Sequence, residues 1–167
     1  HLHLRPDDIA STVILVGDPG RVDTVASFFS RIEFSTSNRE FKTITGYFNG
    51  KRISVLSTGI GTDNIDIVVN ELDALANIDL KTRQELDEKK KLTLVRLGTS
   101  GALQADIPVD SFVLTSIAIG FDGLLNFYKG RNQISDLAME AAFLEHTQWN
   151  PLFSKPYFVP SSPGLIE

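Results

Sequence analysis

Ser11-Thr12-Val13-Ile14-Leu15-Val16 is a β-branched, mostly apolar run that stops at Gly17-Asp18-Pro19-Gly20-Arg21, after which apolar residues return at helical spacing up to Phe29. The pattern predicts a strand, a glycine turn and a helix, with Asp18 as N-cap and Pro19 at the first helical position. Lys42 to Phe48 and Arg52 to Leu56 are two more strand-like runs, separated by Asn49-Gly50. Asn-Gly between such runs takes a type I′ turn, so a β-hairpin is expected. Its second strand ends in Ser57-Thr58-Gly59-Ile60-Gly61, and Ile65, Val68, Val69, Leu72 and Leu75 then mark one face of a helix capped by Thr62 or Asp63. Leu92 to Leu97 is a short Leu and Val run, which reads as a strand covered on both faces, and it ends in Gly98-Thr99-Ser100-Gly101. Farther on, Asp106 to Asp110 predicts a turn and Ser111 to Ile119 a strand. Ile134, Leu137, Ala138 and Ala141 predict a helix capped by Ser135 or Asp136. Beyond Asn150 the tail holds four of the seven prolines, and residues 150–167 are expected to be irregular.

The resulting class is α/β, a mixed central sheet flanked by helices, with glycine loops at three strand ends. Ligands of open α/β sheets collect at the carboxyl ends of the strands, so Gly17 to Arg21, Thr58 to Gly61 and Arg96 to Gly101 are expected to share one cleft. The Arg96 guanidinium is a planar fork of donors for oxygen pairs, and Thr99, Ser100 and the loop amides complete a cradle for a small tetrahedral oxyanion. An arginine in a structural ion pair at a strand end accounts for the same pattern. Capping alone explains Asp18 and Pro19, with free amides then expected near Gly17 and Arg21. It does not explain Arg21 in the first helical turn, where the dipole disfavours a cation unless an anion is also there. No Gly-Lys-Ser/Thr follows any of the glycine turns, so none is a P-loop.

Composition narrows the classes. A chain of 167 residues is sized for one domain. It has no cysteine, and its three histidines lack metal-ligand spacing, which excludes a disulfide framework and favours the cytoplasm. The net charge is −5, with no stripe of Lys and Arg, which argues against a nucleic-acid binder. Residues 81–91 hold eight charged side chains of mixed sign and read as a solvated loop or helix extension. Phe112 to Phe121, the longest apolar stretch, is too short to span a bilayer, and the N-terminus has no basic-then-apolar pattern; neither membrane insertion nor export is expected. The chain opens on His1-Leu2-His3 without a Met, as a trimmed sequence would; these histidines are ligand groups or a frayed terminus.

Four motifs in order, Val16 to Val22, Asn38-Arg39-Glu40-Phe41, Ser57 to Gly61 and Arg96 to Ile107, resemble the successive signatures of uridine-phosphorylase-like nucleoside phosphorylases. The resemblance runs from His1 to about Gly123 and fades beyond Tyr128, with residues 81–91 as an insertion. It implies phosphorolysis: inorganic phosphate attacks the anomeric carbon of a ribonucleoside, uridine first, to give ribose 1-phosphate and a free base. By the resemblance Gly17, Arg21, Arg96 and Thr99 hold phosphate, with Arg21 and Arg96 catalytic, and Arg39 reaches a neighbouring subunit. Thr99, Ser100 and Gly101 meet the nucleoside, and His1 approaches the neighbour's ribose 5′-hydroxyl. Glu40 and Ile60 match a monovalent-cation site at the dimer interface of some members, with Asn64 in place of the usual serine. No cofactor is implied beyond phosphate as co-substrate. The expected assembly is a homo-oligomer, a dimer or a trimer of dimers. The segment that recognises ribose and base has no counterpart before Glu167, so the chain is expected to be the N-terminal portion of a single domain and inactive by itself. A purine phosphorylase, a water-using nucleosidase and a non-catalytic nucleoside- or phosphate-binding protein are the alternatives.

Overall fold

The computed structural model describes residues 1–165. The chain divides into two compact units, His1–Gly101 and a second that begins at Ala102.

In the first unit β1 (Thr12–Val16) leads into α1 (Pro19–Ala26), β2 (Arg31–Asn38), β3 (Phe41–Phe48), β4 (Lys51–Ser57) and α2 (Thr62–Asn77). The two-residue strands β5 (Ile78–Asp79) and β6 (Gln84–Glu85) follow, then β7 (Thr93–Arg96). Five strands form one sheet in the order β2-β3-β4-β1-β7, with β1 parallel to both β4 and β7 and the β2-β3-β4 meander antiparallel. This is the expected mixed sheet flanked by helices. Alternation along β1 sends Val13 and Leu15 to one face, where they pack with Leu56 against Val68, Leu72 and Leu75 of α2. Ile14 and Val16 go to the other face, with Ile44 and Val55 against Val22 and Ala26 of α1. The two helices therefore cover opposite faces. Each fully buried aliphatic side chain contributes roughly 1.5–3 kcal/mol, so these two layers, more than helix propensity, hold α1 and α2 in place.

A buried polar relay ties the N-terminal segment to the sheet. The Ala10 N–H donates to Ser54 Oγ at 2.8 Å, Ser54 shares a 2.7 Å bond with Thr45 Oγ1, and Thr45 donates to the Asp8 carbonyl at 2.7 Å. The hairpin turns on Asn49 and Gly50, both at positive φ (48° and 75°), as a type I′ turn requires. Asp18 caps α1 as expected, accepting from the Gly20 and Arg21 amides at 2.7 and 3.2 Å.

Several expectations need correction. Thr62 and Asp63 do not cap α2; the N-cap is Gly61 at φ 99°, a left-hand bend that glycine makes easily, so the helix starts one residue earlier than a side-chain cap would set it. The strand at Thr93–Arg96 is not covered on both faces: it is the last strand of its sheet, bonded only to β1, with Thr93 and Arg96 exposed and Leu94 and Val95 half-buried. The polar stretch before Arg39, to which the pattern assigned no element, is part of a full strand, β2, in which Phe34, Thr36 and Asn38 alternate inward. Residues 81–91 are almost wholly exposed, as expected, although Gln84 and Glu85 pair with Ile78 and Asp79.

The second unit contains β8 (Ile117–Gly120), α3 (Arg131–Ile134), α4 (Leu137–Thr147) and β9 (Tyr157–Pro160). The strand expected from Ser111 forms only from Ile117, where β9 supplies an antiparallel partner; Phe112, Val113 and Leu114 stay exposed. For the same reason the tail is not irregular throughout, since β9 lies within it. Ile134 belongs to α3, and Asp136 caps α4 through the Ala138 and Met139 amides. Tyr157 packs over Gly120 and donates to both Asp122 carboxylate oxygens at 2.8 Å; burial and that anion push its phenol up to about 12.

Glu140, 2% exposed, is the ionic centre of this unit, paired with Arg131 Nη1 at 2.6 Å and with Lys155 Nζ and accepting from Ser135 Oγ at 3.2 Å. Burial pushes its carboxyl up, but the bonds from Lys155 and Arg131 outweigh burial and hold it below its ordinary value. A carboxylate depressed in the folded state contributes stability that is complete above its unfolded pKa and is lost as pH falls through the folded one. Fluorescence of Trp149, the chain's one tryptophan, which packs on Phe121, Phe143 and Phe153, reports this unit. We expect its stability to fall below about pH 4. Glu140→Gln should lower it by about 3 kcal/mol at pH 7 and flatten that acid slope. An unaltered slope in the variant would show that other carboxylates set it.

Candidate functional site

The three parallel strands bring the three glycine loops side by side. The Val16 carbonyl accepts from the Thr58 N–H and the Leu15 carbonyl from the Leu97 N–H, each at 2.8 Å, so the chain leaves β1, β4 and β7 at one end of the sheet. The turn at Arg39 and Glu40 lies at that same end, because β3 starts where β4 finishes; Ser57 Oγ donates to the Glu40 carbonyl at 2.6 Å.

Gly17, Gly59 and Arg96 converge there. A Cβ on Gly17 would stand 3.8 Å from Arg96 Nη2 and 3.9 Å from the Gly59 carbonyl oxygen. Arg96 is exposed and folds back over its own loop, its Nη1 donating to the Leu97 carbonyl at 3.2 Å. Arg21 is half-buried in the first turn of α1, four residues after Gly17. Free amides were expected near Gly17 and Arg21, but those of Gly20 and Arg21 both donate to Asp18. Arg21 and Arg96 are the charged donors beside these loops. Thr99, Ser100 and Gly101 follow Arg96 in an exposed loop.

Other arginines of the chain have structural duties. Arg52 pairs with Glu33, Arg131 with Glu140, and Arg31 lies 4.5 Å from the centroid of the Tyr47 ring. Among the described residues no carboxylate lies within ion-pair distance of Arg21, Arg39 or Arg96. Arg5 and Arg83 also lack one, but they lie in the N-terminal segment and the charged run. Three arginines without counter-ions at one sheet end, next to glycines that leave room, make an edge suited to an oxyanion.

Glu40, Ile60 and Asn64 do come together. A Cβ on Gly59 would meet Glu40 Cγ and Asn64 Nδ2 at 2.7 Å each, and Asn64 Nδ2 donates to the Ile60 carbonyl at 3.1 Å. Asn64 Nδ2 is thus committed to the Ile60 carbonyl, which leaves Asn64 Oδ1 and the Glu40 carboxylate as the side-chain acceptors of this set. His1 is held by its own chain, its Nδ1 2.5 Å from Glu71 Oε1. Glu71 has no counterpart among the residues singled out from the sequence. Its signal was its place on the apolar stripe of α2, three residues after Val68 and four before Leu75.

This geometry defines an α/β protein whose glycine loops and Arg96 gather at one end of its sheet. The chain belongs to the phosphorylase superfamily, whose model matches residues 11–166 and so spans both compact units. It is 30% identical over 147 residues to a uridine phosphorylase of Thermococcus kodakarensis, a match covering 87% of this chain and 48% of that one. It is 33% identical over 144 residues to a DeoD-type purine nucleoside phosphorylase of a Thermoanaerobacter species, covering 86% and 55%. Among solved structures, a Trypanosoma brucei nucleoside phosphorylase described as showing uridine phosphorylase activity superposes with a TM-score of 0.85 at 31% identity, over 99% of this chain and 56% of that one. The chain spans about half the length of the curated relatives it matches. No helix among the described residues is long and apolar enough to cross a membrane.

The two glycines at this edge respond differently to a methyl group. Gly59 has φ 70° and its Cβ would overlap Glu40 and Asn64, whereas a Cβ on Gly17 makes only ordinary contacts. In urea unfolding, Gly59→Ala should cost about 1–3 kcal/mol. Gly17→Ala should stay within about 0.5 kcal/mol of the parent. Equal losses would mean that the Gly59 loop is not packed as described.

Proposed function

We propose that the intact protein carries out phosphorolysis of a ribonucleoside, with uridine as the leading substrate and inorganic phosphate as the only co-substrate. The observation that carries this reading is the set of arginines without counter-ions, Arg21, Arg39 and Arg96, at the end of the sheet where Gly17 and Gly59 open beside Arg96. Phosphate near neutral pH carries about one to two negative charges, which a guanidinium cluster holds against the sugar. One phosphate oxygen bonds to C1′ as the bond from C1′ to the base nitrogen breaks; the electron pair leaves with the base, which takes up a proton. Arg96 and Arg21 screen phosphate's charge during attack, and Arg39 and Thr99 complete its grip. Thr99, Ser100 and Gly101 lie on the nucleoside side.

Uridine is placed first because the Thermococcus and Trypanosoma relatives carry that activity in their names; the Thermoanaerobacter relative supports a purine substrate instead. The reading takes the working unit to be a homodimer or a trimer of dimers, with Arg39 and His1 serving a neighbouring subunit, and its place to be the cytoplasm. Residues 1–167 alone supply the phosphate side. Holding phosphate without orienting the sugar forgoes much of a proximity effect that reaches roughly 7–11 kcal/mol, so they should be inactive by themselves.

The assay is base release from a panel of pyrimidine and purine nucleosides, with and without phosphate. Release is expected only with phosphate, with uridine fastest. Arg96→Ala should abolish it while the far-ultraviolet circular dichroism stays unchanged. Release at the same rate without phosphate would make the protein a nucleosidase, and no release from any nucleoside would leave a binding protein.

A further inference from the structure

The His1 imidazole is fixed by a side chain 70 positions away. Glu71 Oε1 lies 2.5 Å from His1 Nδ1, and the same carboxylate accepts from the Leu2 N–H at 2.9 Å. From the other side Asn38 Nδ2 donates to the His1 carbonyl at 2.7 Å. Leu2, 1% exposed, is anchored in the core with Phe41 and Leu72. The backbone on both sides of the ring is thus held, while the ring itself remains half-exposed.

Glu71 is costly where it stands. Its neighbours along the helical stripe, Val68, Leu72 and Leu75, are buried, and a carboxylate a third exposed beside them needs its bonds satisfied. His1 and Leu2 satisfy them.

We propose that Glu71 is a positioning residue for the sugar end of the site, acting through the tautomer of His1. This rests on the phosphorolysis reading, in which His1 meets a neighbouring subunit's nucleoside. A carboxylate only accepts, so the proton of the neutral ring sits on Nδ1 and Nε2 is left as an acceptor. Nε2 makes no hydrogen bond among the described residues. An acceptor held in place on the open side of the ring suits a donor hydroxyl, which is what the 5′ carbon of a nucleoside carries. Without Glu71 the ring is free to place its proton on either nitrogen and to rotate. The protein would then lose discrimination between a nucleoside and its 5′-deoxy analogue.

The experiment compares wild-type, Glu71→Gln and Glu71→Met forms of the intact protein. Glutamine keeps an acceptor oxygen; methionine keeps the length and apolar packing without one. Nitrogen-15 NMR of the neutral His1 ring should show the Nδ1–H tautomer in the wild type and in Glu71→Gln, but not in Glu71→Met. With uridine and 5′-deoxyuridine, Glu71→Met should shrink the preference for uridine about tenfold, through KM rather than kcat, and Glu71→Gln should keep most of it. An anchor that merely held the N-terminal segment would lower the melting temperature without moving tautomer or preference. The proposal is overturned if His1 stays Nδ1–H in Glu71→Met, if the wild type shows Nε2–H, or if the uridine preference is unchanged. If no nucleoside is cleaved by the wild type, the phosphorolysis reading fails, and with it the sugar role; the tautomer then decides only whether Glu71 orients the ring.

Discussion

β1 is bonded on both edges by parallel neighbours, and that double ladder decides where every other feature of the first unit falls. Pairing Val16 with Ser57 and Leu15 with Arg96 fixes the register of β4 and β7, so the loops after all three strands must open at one end. A one-residue slip of β7 along β1 would turn Leu94 and Arg96 to the opposite face and move Arg96 off Gly17, and a slip of β4 would turn Leu56 away from α2. The core and the site are thus set by the same hydrogen bonds. Because β1 is apolar on both faces, α1 and α2 can each cover one side, and neither blocks the strand ends between them.

What the sequence made legible follows from how local each signal is. The β1 strand with its Asp18 cap, the Asn49-Gly50 turn and the apolar stripe of α2 are short-range patterns, and each is found where expected. β2 was missed because its outer half is polar Ser-Thr-Ser-Asn, whose inward positions count only once β3 lies alongside. The reading of Thr93 to Arg96 as a doubly covered strand failed for the converse reason: apolar composition does not say whether a neighbour is present, and β7 is an edge. Ser111 to Leu114 repeats the lesson, being strand-like in composition without a partner. In the site, the glycine loops and Arg96 were legible because strand ends of an α/β sheet cluster. Local pattern could not tell which arginines lack a counter-ion. Arg52 and Arg131 look no different from Arg21 and Arg39 until Glu33 and Glu140 are seen beside them.

Charge placement separates the two units. In the second, the buried Glu140 gathers Arg131 and Lys155, and Asp122 takes the Tyr157 hydroxyl, so its ionic groups serve structure. In the first, Lys42 and Arg52 are paired with Asp23 and Glu33 along the sheet, while the arginines at the strand ends have no such partner. Cations at one edge repel one another, and in a protein with net charge −5 acidic residues to neutralise them are plentiful. Asp18 and Glu40 lie at this edge too, yet among the described residues neither pairs with these arginines, which is the opening that the proposed function gives to phosphate.

Arsenate, which stands in for phosphate and scatters anomalously, tests that explanation most directly. Crystals of the intact protein soaked in arsenate and measured at the arsenic edge should show a strong anomalous peak beside Gly17. It should lie within hydrogen-bond distance of the Arg96 guanidinium, with Arg21 also in contact. A peak elsewhere, with Arg96 still turned back onto the Leu97 carbonyl, would contradict the account.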